Sequence, residues 1–333
     1  MATSTEPVIE VLTYARAVNA ALRRALETYP EALFFGEDVA LPGGVFGCSK
    51  GLVEDFPERV LDTPISESAI LGAALGAALL GRRPIVEIMW IDFSLVALDQ
   101  IVNQAANVRY VSRGALKAPL TVRTQQGSLP GSCAQHSQCL EAFYAHVPGV
   151  RVGVPSTAAD AYAMLLSAIA EDDPVVVIEH RAFYHTVSDP VSLDAPIESI
   201  GGGRIVREGT DVTLVAWGAM LSKGLEAAET LASDGLSVDV IDPRWLNPFD
   251  TALVIQSVEK TNRLVIAHEA NLTGGFGAEI CARVVRDAFW SLEAPIDRIG
   301  LPDVRMPAAP GLQDALLPSV DDIAGALRRT AET

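Results

Sequence analysis

Three groups of residues have the types and spacing to do chemistry. The first is Glu67, in the run Asp62-Thr63-Pro64-Ile65-Ser66-Glu67, which heads the apolar stretch Leu71-Gly72-Ala73-Ala74-Leu75-Gly76. Pro64 restricts Thr63 to extended geometry, and Ser66 is placed to cap a helix that begins near Glu67. A carboxylate in a first helical turn is favoured by the helix dipole and disfavoured by desolvation, so Glu67 reads either as a cap or as an acid–base group. The helix behind it is apolar almost all round, which predicts burial. Gly72 and Gly76 each cost about 1 kcal/mol against alanine, which close approach of another backbone to that side would offset. The second group is His136 with Gln135, Ser137 and Gln138, polar neighbours able to fix its tautomer. The third is Glu171-Asp172-Asp173 at the end of a predicted helix, where acids oppose the dipole. Solvent is the simplest offset for them.

The elements that must position these groups alternate between helix and strand. Thr13 caps a predicted helix that Pro30 ends, and residues 32–35 read as a buried strand whose carboxyl end carries Gly36-Glu37-Asp38. Ligands gather at that edge of parallel sheets, so Glu37 is a candidate contact. The loop with Gly43, Gly44 and Gly47 lacks the lysine of a phosphate-binding loop. A strand over 84–89 precedes Trp90, and a helix is predicted from there to about 110. A strand over 120–124 opens into Gln125-Gln126-Gly127-Ser128-Leu129-Pro130-Gly131-Ser132, a plausible active-site wall ahead of His136. A strand over 150–154, a helix from Pro155 with Ser156 as cap, and a strand over 175–179 follow. His146, His180 and His185 read as structural. Residues 187–203, with Pro190, Pro196 and Gly201-Gly202-Gly203, read as a linker between a first domain over 1–186 and a second over 204–333. The second resumes the alternation, as a smaller open α/β sheet. Its His268-Glu269 and Gly274-Gly275-Phe276-Gly277 have the look of a site.

At 333 residues the chain holds two domains with proper cores. With 49% hydrophobic and 20% charged residues it reads as soluble and globular. A net charge of −17 and a pI near 4.7 argue against nucleic acid and anionic membranes as partners. Cys48, Cys133, Cys139 and Cys281 have no metal-like spacing and read as reduced thiols. The first ten residues show neither a signal nor a transit pattern, which points to a cytoplasmic protein.

Taken in order, Gly36-Glu37-Asp38-Val39, Gly43-Gly44-Val45-Phe46, Asp62 to Glu67, Asp92-Phe93, Asp99-Gln100-Ile101-Val102-Asn103 and Gln135-His136-Ser137-Gln138 resemble the β subunit of the thiamine-diphosphate-dependent 2-oxoacid dehydrogenases of the pyruvate, branched-chain and acetoin types. The likeness runs from about Thr13 to Arg328. It implies an α/β fold: an open parallel sheet of the transketolase type that binds the cofactor's pyrimidine, plus a smaller C-terminal α/β domain serving subunit contact. It implies that Glu67 hydrogen-bonds the aminopyrimidine, that Trp90, Ile88 and Glu37 stand beside the cofactor, and that His136 is an active-site histidine. It also implies a potassium site at Leu120, Ala168, Ile169, Glu171 and Asp173. The family commonly has a proline after the arginine that here is Arg123, whereas this chain has Thr124-Gln125-Gln126, which leaves the substrate open.

Thiamine diphosphate enzymes also need a Gly-Asp-Gly segment to hold magnesium on the diphosphate, and the chain has none. Magnesium demands several oxygen ligands, so the chain reads as half a site. The resemblance supplies the other half as an α subunit in an α2β2 heterotetramer that binds Mg2+, acts on a 2-oxo acid and passes its acyl group to a lipoyl-bearing acyltransferase. An acetoin-cleaving or transketolase-like two-subunit enzyme is the alternative.

Overall fold

The computed structural model describes residues Val8–Thr333. Contacts divide the described residues into two units, one made of residues 8–125 and Val147–Ile200, the other of Gln126–His146 and Gly201–Thr333. Its strands, in chain order, are β1 Ile9–Thr13, β2 Ala32–Gly36, β3 Val60–Asp62, β4 Arg83–Ile88, β5 Thr121–Gln126, β6 Arg151–Gly153, β7 Val175–His180 and β8 Ser188–Ser192. They continue with β9 Arg204–Arg207, β10 Val212–Ala216, β11 Val238–Asp242, β12 Trp245–Asn247, β13 Leu264–Asn271 and β14 Asp297–Leu301.

In the first unit the strands lie in the order β6-β7-β5-β4-β2-β3, with β3, β2, β4 and β5 paired in parallel and β6 parallel to β7. Their residues are buried on both faces, which is why they read as apolar runs rather than alternating ones. Helix Tyr14–Thr28 begins where Thr13 predicts, the threonine hydroxyl accepting the Arg16 N–H at 3.3 Å. Helix Ala158–Ala170 starts one residue later than a Ser156 cap would place it, because Thr157 is the cap, accepting the Asp160 N–H at 3.0 Å. Ser188–Ser192, inside the stretch read as a linker, is a strand antiparallel to β1.

Two further expectations change. The helix predicted from Trp90 to about residue 110 is a string of short turns, Ile91–Ser94, Leu95–Ala97, a π-helical turn at Gln100–Gln104, Ala105–Asn107 and Val108–Val111. There the Asp99 carboxylate takes the Asn103 side-chain amide at 2.8 Å, one of the local bonds that compete with a regular ladder. The strand expected to stop at Thr124 runs through Gln126, so Gln125 and Gln126 are buried strand residues and not loop.

In the second unit the sheet order is β14-β13-β10-β11-β9, parallel except for the antiparallel edge strand β9. Helices Ala219–Ser233 and Val320–Glu332 bury Leu221, Ala228, Leu231, Ile323 and Leu327 against Leu214, Val240 and Val265. A capping box at Ser319 and Asp322 starts the last helix. His268, at the end of β13, is enclosed rather than displayed. Its Nδ1 lies 3.1 Å from the Ala270 carbonyl, its ring stacks on Trp217, and burial pushes its pKa down to about 4. A Cβ at Gly277 would stand 2.7 Å from Nε2, so only glycine lets the next helix pack on that ring.

Candidate active site

Three neighbouring strand ends in the first unit carry acidic or aromatic residues. Strand β2 lies between β3 and β4, with Gly36 paired to Asp62 on one side and to Glu87 on the other. A Cβ on Gly36 would meet the Glu87 carbonyl oxygen at 2.7 Å, so glycine is what allows the strands to close there. Glu37 follows directly, Glu67 follows β3 across the Thr63–Ser66 turn, and Trp90 follows β4 just after the buried Ile88. The turn is tied down at both ends. Thr63 N–H donates to the Gly36 carbonyl at 2.9 Å, and the Asp62 carboxylate accepts the Ala40 and Leu41 N–H groups at 2.7 and 3.3 Å. Burial, and then the negative charge of Glu67, push the Glu37 carboxyl above its usual range. The two carboxylates therefore share one electrostatic environment.

Glu67 opens helix Glu67–Leu79, in the predicted place. Ser66 occupies the cap position but makes no side-chain capping bond. Only one face of the helix is buried, through Ile70, Leu71, Ala74, Leu75 and Ala78. Ala69, Ala73, Gly76 and Leu79 are exposed, which corrects the expectation of a fully buried helix. Nothing lies within 4 Å of a Cβ built on Gly76, and Gly72 meets only the Gln100 side chain. The close approach that these glycines permit is not used within the chain.

Aromatic rings line the same strand ends. Trp90 meets Phe93 and Phe46 edge-on, with centroids 5.5 and 5.7 Å apart, and the Arg181 guanidinium lies 5.2 Å from its ring centre. Phe46 is presented by the glycine-rich loop and stacks on Tyr184 at 4.9 Å. Asn19 clamps that loop through the Cys48 and Lys50 carbonyls, and a Cβ on Gly43, at φ +82°, would touch the Lys50 backbone at 3.0 Å.

Beneath the rings is an ionic cluster that sequence reasoning missed. Arg123 on β5 grips Glu179 of β7 with two bonds, of 2.7 and 2.8 Å, and Glu87 of β4 with a third of 2.6 Å. All three side chains are 0–2% exposed. Tyr184 Oη donates to Glu179 at 2.5 Å. Burial drives the Glu87 carboxyl up, more than the Arg123 charge draws it down, and burial likewise raises the Tyr184 hydroxyl. One signal could have revealed the cluster: each of the apolar runs over 84–88, 119–124 and 175–180 carries a single charged residue near its carboxyl end.

His136 lies in the second unit, in a half-buried loop without helix or strand between Gln126 and Glu141. The Ser132 and Ser137 hydroxyls bond at 2.5 Å on either side of it, and Cys133 adopts φ +51° to close the turn. A cavity of about 380 Å³ is lined by Gln138 and Cys139 from the loop, by Phe143 of the short helix Glu141–Ala145 that follows it, and by Asn271, Gly274 and Arg305.

The acidic segment after helix Ala158–Ala170 is offset by cations and not, as expected, by solvent. Arg83 donates to the Ile169 and Glu171 carbonyls, both at 2.7 Å, and reaches Asp172 at 3.4 Å. Lys117 pairs with Asp172, and its hydrogen bond holds the Asp172 carboxyl below its usual range. Arg109 pairs with Asp173 at 2.5 Å. Ala168 O accepts the Thr121 hydroxyl and Leu120 O the Val175 N–H. Among the described residues no three His, Cys, Asp or Glu side chains gather as a metal site.

The residues present suit the aminopyrimidine half of thiamine diphosphate: a carboxylate at a helix head, a second carboxyl beside it, and an apolar strand end with aromatic rings. The comparisons agree. Residues 10–186 match the family described as the transketolase pyrimidine binding domain, and residues 201–323 the transketolase C-terminal domain. The fold matches a solved structure titled "Split gene transketolase, inactive beta4 tetramer" with a TM-score of 0.80 and 25% identity, over 96% of this chain and 98% of that one. Among curated proteins the chain is 44% identical to pyruvate dehydrogenase E1 component subunit beta-2, mitochondrial, of Oryza sativa subsp. japonica, over 96% of this chain and 86% of the relative. It is 40% identical to the acetoin:2,6-dichlorophenolindophenol oxidoreductase subunit beta of Cupriavidus necator, over 94% and 96%. It is 36% identical to the 2-oxoisovalerate dehydrogenase subunit beta of Bacillus subtilis, over 97% and 100%. Fold and site thus define a transketolase-like chain with pyrimidine-binding and C-terminal domains. Within that class, it belongs to the family of E1 β subunits of the thiamine-diphosphate-dependent 2-oxoacid dehydrogenases.

Proposed function

We propose that this chain supplies the aminopyrimidine half of a thiamine diphosphate site, in an α2β2 enzyme that oxidatively decarboxylates a 2-oxo acid and hands the acyl group to a lipoyl-bearing acyltransferase. The observation that carries the reading is Glu67, held at a helix head beside the raised Glu37 carboxyl, in a chain without a Gly-Asp-Gly segment. When bound, thiamine diphosphate supplies the nucleophilic carbon and the electron sink for decarboxylation. Glu67 holds a proton at the aminopyrimidine ring nitrogen. Trp90 and Ile88 wall the ring from water, Glu37 stands beside Glu67, and His136 orients the substrate or moves a proton to it. Mg2+ requires oxygen ligands that an α partner brings.

Exposed apolar side chains support such a partner. Leu80 and Ile65, at the two ends of the Glu67 helix, are 86% and 82% exposed, and Tyr110 is 86% exposed. These side chains are free to be covered by a partner chain. No helix among the described residues is long and apolar enough to cross a membrane, and a cytoplasmic location accords with the composition.

Titration by calorimetry tests the half-site. The chain alone is expected to show no Mg2+-dependent binding of thiamine diphosphate at micromolar concentration, and the reconstituted αβ complex is expected to bind. Micromolar binding by the single chain would sink the reading. A potassium ion, if held, shares the Ile169 and Glu171 carbonyls with Arg83, the Ala168 carbonyl with the Thr121 hydroxyl and the Leu120 carbonyl with the Val175 N–H, and takes Asp173 from Arg109. In that case the thermal midpoint is higher in KCl than in choline chloride of equal strength, through preferential binding to the folded state. Equal midpoints would leave those carbonyls to Arg83, Thr121 and Val175.

A further inference from the structure

The loop that bears His136 has no regular structure of its own, and loops of that kind ordinarily open at little free-energy cost. This one is tied along its whole length to residues of the C-terminal domain. Near its start, the Glu269 carboxylate at the end of β13 accepts the Ser128 N–H at 2.8 Å. At its apex, Gly131 N–H donates to the Ala308 carbonyl at 3.2 Å. Beyond the histidine, Arg305 Nη1 donates to Gln138 Oε1 at 2.6 Å. At its end, the Trp217 indole donates to the fully buried Glu141 at 3.2 Å. Two of the four anchors, at Glu269 and Arg305, use an acidic or a basic side chain on the C-terminal domain, and hydrogen bonds to an ionised group are roughly twice as strong as neutral ones. Inside the loop, Leu129 N–H donates to Ser132 Oγ at 3.1 Å, and the Ser132–Ser137 bond closes the segment around His136. The C-terminal domain thus does more than the subunit contact its sequence suggests.

We propose that Glu269 and Arg305 are positioning residues that hold this loop so that His136 presents its imidazole in a single orientation. The inference rests on the catalytic reading of His136. Displacing a catalytic group by about 1 Å can cost 10² in rate, so loosening either anchor should register in turnover.

The test uses the chain reconstituted with its α partner. Glu269→Gln and Arg305→Gln are each expected to lower kcat by about 10-fold or more. Thiamine diphosphate affinity, read by calorimetry, stays within a few-fold, and amide hydrogen exchange of peptides spanning 128–140 rises. His136→Ala alone lowers kcat by about 10²–10⁴. Added to His136→Ala, neither anchor variant costs anything further, because residues acting through one group are not additive. Equal losses in both backgrounds, or unchanged exchange in the loop, would overturn the proposal. Full activity in the His136→Ala complex would instead end the catalytic reading of His136, and the proposal with it. That single measurement tells the two failures apart. Arg305 is exposed, so its variant keeps the test available should Glu269→Gln fail to fold.

Discussion

Replacing Glu67 by Gln is expected to slow proton exchange at the thiazolium carbon of bound thiamine diphosphate by about 10² or more, with folding and assembly nearly intact. A carboxamide has almost the shape of the carboxyl group but cannot share a proton with the ring nitrogen. Ser66 makes no capping bond and Glu67 is only half buried, so the helix dipole is the one structural use the helix has for a glutamate here. A pure capping role predicts a loss of about 1 kcal/mol or less and unchanged exchange. Deuterium exchange of the cofactor, followed by NMR in both complexes, separates the two. Glu37 offers an internal control. Its carboxyl is raised by burial and then by the Glu67 charge, so removing that charge should let it titrate at lower pH, visible in the carboxyl carbon shift. Equal exchange rates would refute the claim that this chain activates the cofactor.

Arg123→Met is expected to cost about 3–5 kcal/mol of stability, the scale of breaking a buried ion pair on one side only. Two carboxylates, Glu87 and Glu179, would be left without the one cation that both grip. The loss should depend on pH, with a definite sign. Glu87 already holds its proton above the ordinary 4.5, so its contribution is fully present below that value and is lost as pH rises through the folded pKa. Without Arg123 that penalty grows, and the variant should be closer to the parent at pH 5 than at pH 8. Urea midpoints at the two pH values measure it. A destabilisation that is flat with pH would mean that Arg123 serves by packing rather than by charge.

What could be read from the sequence follows from how local each signal is. The helix start at Glu67 was legible because the proline, the cap-position serine and the apolar run are contiguous. The Thr13 cap and the strand–helix alternation of the C-terminal half were legible for the same reason. The Glu87–Arg123–Glu179 cluster was not, because its members lie 36 and 56 residues apart and meet only once three parallel strands align. The cations over residues 171–173 were hidden likewise, since Arg83, Arg109 and Lys117 come from three other segments. The exposed face of the Glu67 helix was misread because an all-apolar helix signals burial without saying whose atoms do the burying. Propensity also failed between Trp90 and residue 111, where side-chain bonds from Asp99 and a π-helical turn divide what periodicity joins.

The anchoring of residues 126–146 bears on how relatives could be recombined. By chain position the histidine segment falls in the middle of the first domain, between β5 and β6, and a crossover near residue 200 would keep it there. Its anchors at Trp217, Glu269, Arg305 and Ala308 would then come from the other parent. A chimaera cut at that point inherits a histidine from one protein and its supports from another, so mismatches at four distant positions would surface as one poorly ordered loop. Moving residues 126–146 together with the C-terminal half keeps the matched set, although it needs three crossovers where a domain map suggests one.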